Sequence, residues 1–203
     1  MRATTFSLGF VSASFGLGQP GLGCVEGGQC FLLSVPDASV GAPQLQRSTD
    51  GGASWTAPSA LVGGSWSASV PSLSCAGPQV CLALWRNDTS SLWTSSTTNG
   101  GASWGGAVAL PMAYAGVQVT DTPNLSCYLP NAASSLSSAT CVVSYAQSSQ
   151  VITVRSVTSG AAWGAPVVAQ SVIASSRPSV SCVSDSLCVL AFSGTPGTGS
   201  SFA

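Results

Sequence analysis

The sequence predicts an all-β chain, a β-propeller built from four-stranded antiparallel blades, with about four blades visible and the last one incomplete. Three observations lead there. Eight cysteines fall in four evenly placed pairs, Cys24/Cys30, Cys75/Cys81, Cys127/Cys141 and Cys182/Cys188, whose first members are 51, 52 and 55 residues apart. Each first cysteine follows a proline by four positions (Pro20, Pro71, Pro123, Pro178), so an internal repeat of about fifty residues runs through the chain. Between the cysteine pairs the apolar residues come in short alternating runs broken by Ser, Gly and Pro, with no long helical period. Four short strands per repeat of this length fit a propeller blade; a β-sandwich is the alternative arrangement for the same strands.

Taken in order, residues 1–19 read as an outer strand of a preceding or closing blade, followed by units 20–70, 71–122, 123–177 and an incomplete 178–203. The opening M-R-A-T-T-F-S-L-G-F could also be a signal peptide, but its apolar stretch is short and interrupted. Val11–Phe15 matches Val62–Trp66, and Gln19-Pro20 leading to Cys24 matches Val70-Pro71 leading to Cys75, so the repeat reading is the stronger. Any leader would then lie outside this chain. In the second unit Pro71–Cys75 alternates as a first strand, Ala76–Val80 turns and Cys81–Trp85 returns. Arg86–Ser90 is then a loop, Leu92–Ser96 a third strand and Gly106–Leu110 a fourth. The even, local cysteine pairs predict four disulfides, Cys24–Cys30, Cys75–Cys81, Cys127–Cys141 and Cys182–Cys188, with a longer exposed hairpin around Asn131–Ser138. A zinc site would need paired thiolates brought together with each other or with histidine, and the chain has no histidine. The fourth unit ends after a strand from Cys188 to Phe192. Either Thr5–Val11 completes that blade and closes a small ring, or the chain is an open arc of a larger propeller. A start and finish in mid-repeat favour the arc.

The third and fourth strands of each unit are joined by a recurring hairpin, R-S-T-D-G-G-A-S-W at Arg47–Trp55 and T-T-N-G-G-A-S-W at Thr97–Trp104. A worn copy, S-V-T-S-G-A-A-W, runs from Ser156 to Trp163, with Ser159 read as standing where the Asp was. Ser48, Asp50 and Gly52, with Thr97, Asn99 and Gly101, supply a short acceptor for the turn's own N–H groups and a glycine for positive φ, while Trp55, Trp104 and Trp163 pack across the blade. The pattern S/T-x-D/N-x-G-x-x-W resembles the Asp-box of sialidases and of many non-enzymatic propellers. The resemblance implies strands ordered from the axis outward, with the cysteine turns and the boxes at one end. A binding or catalytic site is then expected at the other end.

Charged residues make up 5% of the chain, lysine is absent and the formal net charge is −1, so no basic patch exists to neutralise phosphates and nucleic acid is not expected as a partner. No run of eighteen apolar residues appears, which argues against a membrane-spanning helix. Paired cysteines at this density point to an oxidising compartment, secreted or at the cell surface. Neither metal nor cofactor is expected. The loops opposite the boxes carry the ligand-binding candidates Trp66, Arg86, Asp88, Tyr114, Asp121, Tyr145 and Arg177, a mix of aromatic and polar side chains of the kind that stacks on and orients a sugar. Phe15 and Trp85 share those regions and read as packing residues. The resemblance to sialidases would imply three arginines, a tyrosine activated by a glutamate and an acidic aspartate. The only glutamate, Glu26, lies inside the first cysteine turn, and Arg177-Pro178 only faintly echoes the family's Arg-Ile-Pro. Asp88 and Asp121 are the remaining carboxylate pair for glycosidase chemistry, with no spacing that brings them together. The sequence therefore favours recognition of a glycan or an extracellular protein, with a sialidase-type hydrolase fragment and a structural surface module as alternatives. Asn87-Asp-Thr89 and Asn124-Leu-Ser126 match the glycosylation acceptor pattern and are expected in loops.

Overall fold

A computed structural model of the chain describes residues 20–34, 42–61, 71–87, 91–119, 122–130, 138–171 and 178–193. Among them the strands form four antiparallel sheets, each in sequence order. The first blade holds β1 (Gly21–Cys24), β2 (Cys30–Ser34), β3 (Gln44–Ser48) and β4 (Ser59–Ala60). The second holds β5 (Ser72–Cys75), β6 (Cys81–Arg86), β7 (Leu92–Thr97) and β8 (Val108–Ala109). The third holds β9 (Asn124–Tyr128), β10 (Thr140–Gln147), β11 (Gln150–Ser156) and β12 (Val167–Ser171), and the fourth shows the hairpin β13 (Ser179–Cys182) and β14 (Cys188–Ala191). The first strands are neighbours in the order β1, β5, β9, β13, which sets the blades side by side around their inner edges. The predicted fourth strand of the second unit, Gly106–Leu110, is shorter in the structure, Val108–Ala109, although Gly105 N–H and Leu110 N–H still bond Ser96 O and Leu92 O of β7.

The second strands of the first three blades are covered on both faces, and β2 is buried along its whole length. Cys81–Trp85 and all of β10 are buried on both faces. One core fills the gap between the first two blades, with Phe31, Leu33 and Leu45 against Ala83 and Trp85. A second fills the next gap, with Leu82, Leu84 and Leu92 against Leu125, Val143 and Tyr145. Each cysteine pair lies directly cross-strand between the first and second strands of its blade, with Cα atoms 4.0–4.1 Å apart, as the spacing predicts.

The three box hairpins share one hydrogen-bond scheme. Ser48 Oγ accepts from Gly52 N at 2.8 Å, Thr97 Oγ1 from Gly101 N at 2.9 Å and Ser156 Oγ from Gly160 N at 3.0 Å. The Asp position then accepts from the backbone four residues on: Asp50 Oδ1 from Ser54 N, Asn99 Oδ1 from Ser103 N and, in the third copy, Thr158 Oγ1 from Ala162 N. This corrects the sequence reading: Thr158, not Ser159, stands in for the Asp. Ser159 occupies the position of Gly51 and Gly100 and shares their positive φ, at 52°. The backbone N–H of that residue clips each box to the neighbouring cysteine turn, from Gly51 to Gly28 O, Gly100 to Gln79 O and Ser159 to Ala139 O. Box and cysteine turns therefore share one end of the blades.

Blade-to-blade seams repeat as well. A first strand is a sheet edge whose outward N–H groups need acceptors. Ser74 Oγ accepts from Cys127 N and Ser126 Oγ from Cys182 N, both at 2.9 Å. At the seam between the first and second blades Gly23 stands in the serine's place, and a Cβ there would come 2.5 Å from Leu73 Cδ2, so the leucine fills the space that a serine would take. Asn124 Oδ1 accepts from Val180 N at 3.0 Å. Asn124 thus lies in β9 and serves the seam, not in a loop as expected. The expected closing strand at residues 5–11 and the body of the expected hairpin, residues 131–137, lie outside the described residues.

Candidate functional site

Opposite the boxes, the end of the second and third blades is organised by residues 111–119, which follow β8. The third blade contributes the tight turn between β10 and β11, where Ser148 and Ser149 both take positive φ (52° and 58°), the backbone twist of a two-residue hairpin. Gln147, at the end of β10, is fully buried and reaches across to the loop. Its Oε1 accepts from Tyr114 N at 3.2 Å, and its Nε2 donates to Tyr114 O at 2.9 Å and to Val117 O at 2.6 Å. Val119 forms an antiparallel bridge with the same residue. Tyr114 Oη donates to Gln150 Oε1, fixing the phenol over the turn. Arg86, from the end of β6, donates from Nη1 to Val119 O at 2.8 Å, and partial burial lowers its guanidinium pKa from the ordinary value.

Of the seven sequence-nominated ligand residues, the structure gathers Arg86, Tyr114 and Tyr145 around this loop. Tyr145 does not reach the surface: its ring is fully buried in the core, and its Oη accepts from Ala113 N at 3.3 Å. Burial pushes its phenol pKa up, an effect the Ala113 hydrogen bond partly opposes. Its position holds the loop from beneath. Trp66, Asp88, Asp121 and Arg177 lie outside the described residues. Trp85 is fully buried between blades, as its place at a strand end suggests, and Asn87 is a buried turn residue whose Oδ1 accepts from Ser91 N at 2.8 Å. Gln147 was missed by sequence reasoning. The only hint is that a long polar residue closes a strand whose other polar members, Thr140 and Ser144, are small.

What this end presents to solvent is Val117, Gln118 and the Ala115–Gly116 tip, flanked by the half-buried Tyr114 and Arg86. Such a surface can offer an aromatic edge, amides and a cation to hydroxyl-rich ligands. Among the described residues it holds no carboxylate: Glu26, Asp50 and Asp185 all lie in cysteine or box turns at the far end. Asp50 is held at about 2 by hydrogen bonds from the Ser54 hydroxyl, the Ser54 backbone and the Ser48 hydroxyl, all of them serving the turn. No group of His, Cys, Asp and Glu suited to a metal occurs among the described residues, nor any helix long and apolar enough to cross a membrane. A groove of about 430 Å³ runs between the third blade and the β13–β14 hairpin, lined by Val142, Val167, Val180 and Leu190, with Arg155 Nη2 on Asp185 O at one end. Its lining is mainly apolar.

No known protein family and no curated protein matches the sequence. Solved structures do resemble the fold. A mutant of Aleuria aurantia lectin in complex with Fucα1-6GlcNAc superposes with a TM-score of 0.61 at 11% identity, over 91% of this chain and 57% of the lectin. A protein of unknown function from Dyadobacter fermentans gives 0.59 at 16% identity, over 90% and 58%. A Hadza microbial sialidase gives 0.54 at 12% identity, over 85% and 41%. The chain spans a little over half the length of the first two. At these identities the likeness concerns the fold alone, which it shares with lectin and sialidase propellers.

Proposed function

We propose that the chain is a disulfide-braced recognition module of the extracellular space that binds a glycan at the end of its blades opposite the boxes, on the surface built by residues 111–119 and the Ser148–Ser149 turn. The observation that carries this reading is the convergence there of Arg86 and Tyr114, two residues nominated independently from the sequence, on a loop braced from within by Gln147 and Tyr145. Four disulfides fit an oxidising compartment. Support also comes from the neighbouring lectin, whose structure contains Fucα1-6GlcNAc, and from the sialidase, although each shares only the fold. The box residues, with their acceptors spent on turn amides, are structural in this reading.

The test is binding of the chain to an array of oligosaccharides that includes fucosylated and sialylated members, followed by titration of the best ligand. Tyr114→Ala should weaken binding at least tenfold with the disulfides intact, and Asp50→Asn should leave it unchanged. Absence of any glycan binding, with capture of an extracellular protein instead, would replace the glycan reading. Turnover of a fluorogenic sialoside would favour the hydrolase alternative, whose catalytic residues would then lie mostly outside this chain.

A further inference from the structure

Three contacts recur at the seams between successive blades. On the inner strand the residue two before the first cysteine turns toward the preceding blade and is covered there: Leu125 and Val180 are each 6% exposed. The serine one before that cysteine turns the other way and accepts the next blade's cysteine N–H, as Ser74 and Ser126 do. The box glycine presses onto the residue after the second cysteine of the preceding blade, Gly101 on the ring of Phe31 and Gly160 on Leu82, so closely that neither could carry a Cβ.

Among the described residues, the first and fourth blades each carry an unmated half of this seam. On the first blade Leu22, the counterpart of Leu125, is 56% exposed. Gly52, the counterpart of Gly101 and Gly160, would bring a Cβ near nothing but its own Trp55. Trp55 itself folds back to donate to Gly52 O, whereas Trp163 reaches across to Thr94 Oγ1 of the preceding blade. On the fourth blade Val189, the counterpart of Phe31 and Leu82, is 58% exposed, and Ser181, the counterpart of Ser74 and Ser126, is exposed beside it. Leu32 and Ser34 of the first blade are already buried, so its open half is the inner strand and the box turn.

We propose that these halves mate between two copies of the chain, the first blade of one docking on the fourth blade of the next. Leu22 then packs against the hairpin β13–β14, Ser181 takes the Cys24 N–H, and Gly52 settles over Val189. The occupant is a second copy because each end displays what the other lacks, continuing the seam already built within the chain. Such a contact is head-to-tail, so it leaves one free half at each end of a dimer and permits further growth.

Analytical ultracentrifugation of the oxidised 203-residue chain tests this. The mass should rise with concentration through dimer to larger species. Leu22→Asp and Val189→Asp change exposed side chains, so both variants should keep four disulfides and the wild-type circular dichroism while sedimenting as monomers. Mixed one to one, they should form a dimer and nothing larger, because the first retains an intact fourth blade and the second an intact first blade. A wild-type chain that stays monomeric at the highest concentration reached, single variants that still associate, or a mixture that remains monomeric would each overturn the proposal.

Discussion

Replacing Ser74 by Ala removes one hydroxyl from the seam between the second and third blades and leaves the strand's Cβ in place. The hydroxyl accepts Cys127 N–H at 2.9 Å, and Cys127 is 8% exposed, so water has little access. A net hydrogen bond is worth about 1 kcal/mol, and a buried donor left without an acceptor costs about 1–3 kcal/mol. For a chain of this size each kcal/mol lowers the melting temperature by roughly 2–4 °C. Scanning calorimetry should therefore show a loss of a few degrees, and native-state hydrogen exchange should show faster exchange at the Cys127 amide in particular. The corresponding change at the first seam behaves differently. Gly23→Ala must push Leu73 aside, so it destabilises although it deletes no bond. If Ser74→Ala left both the melting temperature and Cys127 exchange unchanged, the serine would not be the acceptor that joins the blades, and the repeated seam would lose its basis.

Asp50 has its pKa lowered from 3.8 to about 2 in the fold, so its stabilising effect is complete above its unfolded value and fades as pH falls toward 2. Asp50→Asn, which copies the amide found at Asn99, should keep the box bonds and flatten the dependence of melting temperature on pH across that acid range. Gly101→Ala places a side chain at φ 77° against the buried ring of Phe31. The left-handed backbone alone costs about 1–2 kcal/mol, and urea unfolding should show a larger loss than that. Thr94→Val strands the Trp163 indole N–H, which donates to Thr94 Oγ1 at 3.1 Å, and should cost about 1 kcal/mol in the same assay. The second blade supplies the natural comparison: Trp104 faces the position of Leu45, and its indole N–H is buried without an acceptor.

Strands, disulfides and the shared end of boxes and cysteine turns are legible in the sequence because each is a local pattern repeated every fifty residues or so. A misreading at one copy is then corrected by the others. The confusion of Ser159 with Thr158 arose where both neighbours are hydroxyl residues and the glycine that would have marked the positive-φ position is absent. The loop at 111–119 is a different case. Its hydrogen-bond partners Tyr145, Gln147 and Gln150 lie 30 to 36 residues away, and no local pattern states that a buried glutamine will bond two of its carbonyls. Tyr145 reads as a loop residue in the sequence, yet an aromatic near a strand end can face solvent or core, and the neighbouring blade makes the choice. The sequence puts Asn124 in a loop because the seam that uses its amide exists only once two blades are side by side.

The account rests most heavily on the claim that ligand is met at the end of the blades away from the boxes. Chemical-shift mapping of the isotope-labelled chain, titrated with the tightest-binding oligosaccharide from the array, addresses that claim directly. The account predicts shifts at the backbone amides of residues 113–119 and 147–150 and at the Arg86 side chain, with the turns around Asp50, Asn99 and Thr158 unmoved. Shifts concentrated at those box turns, with the 113–119 loop silent, would contradict it.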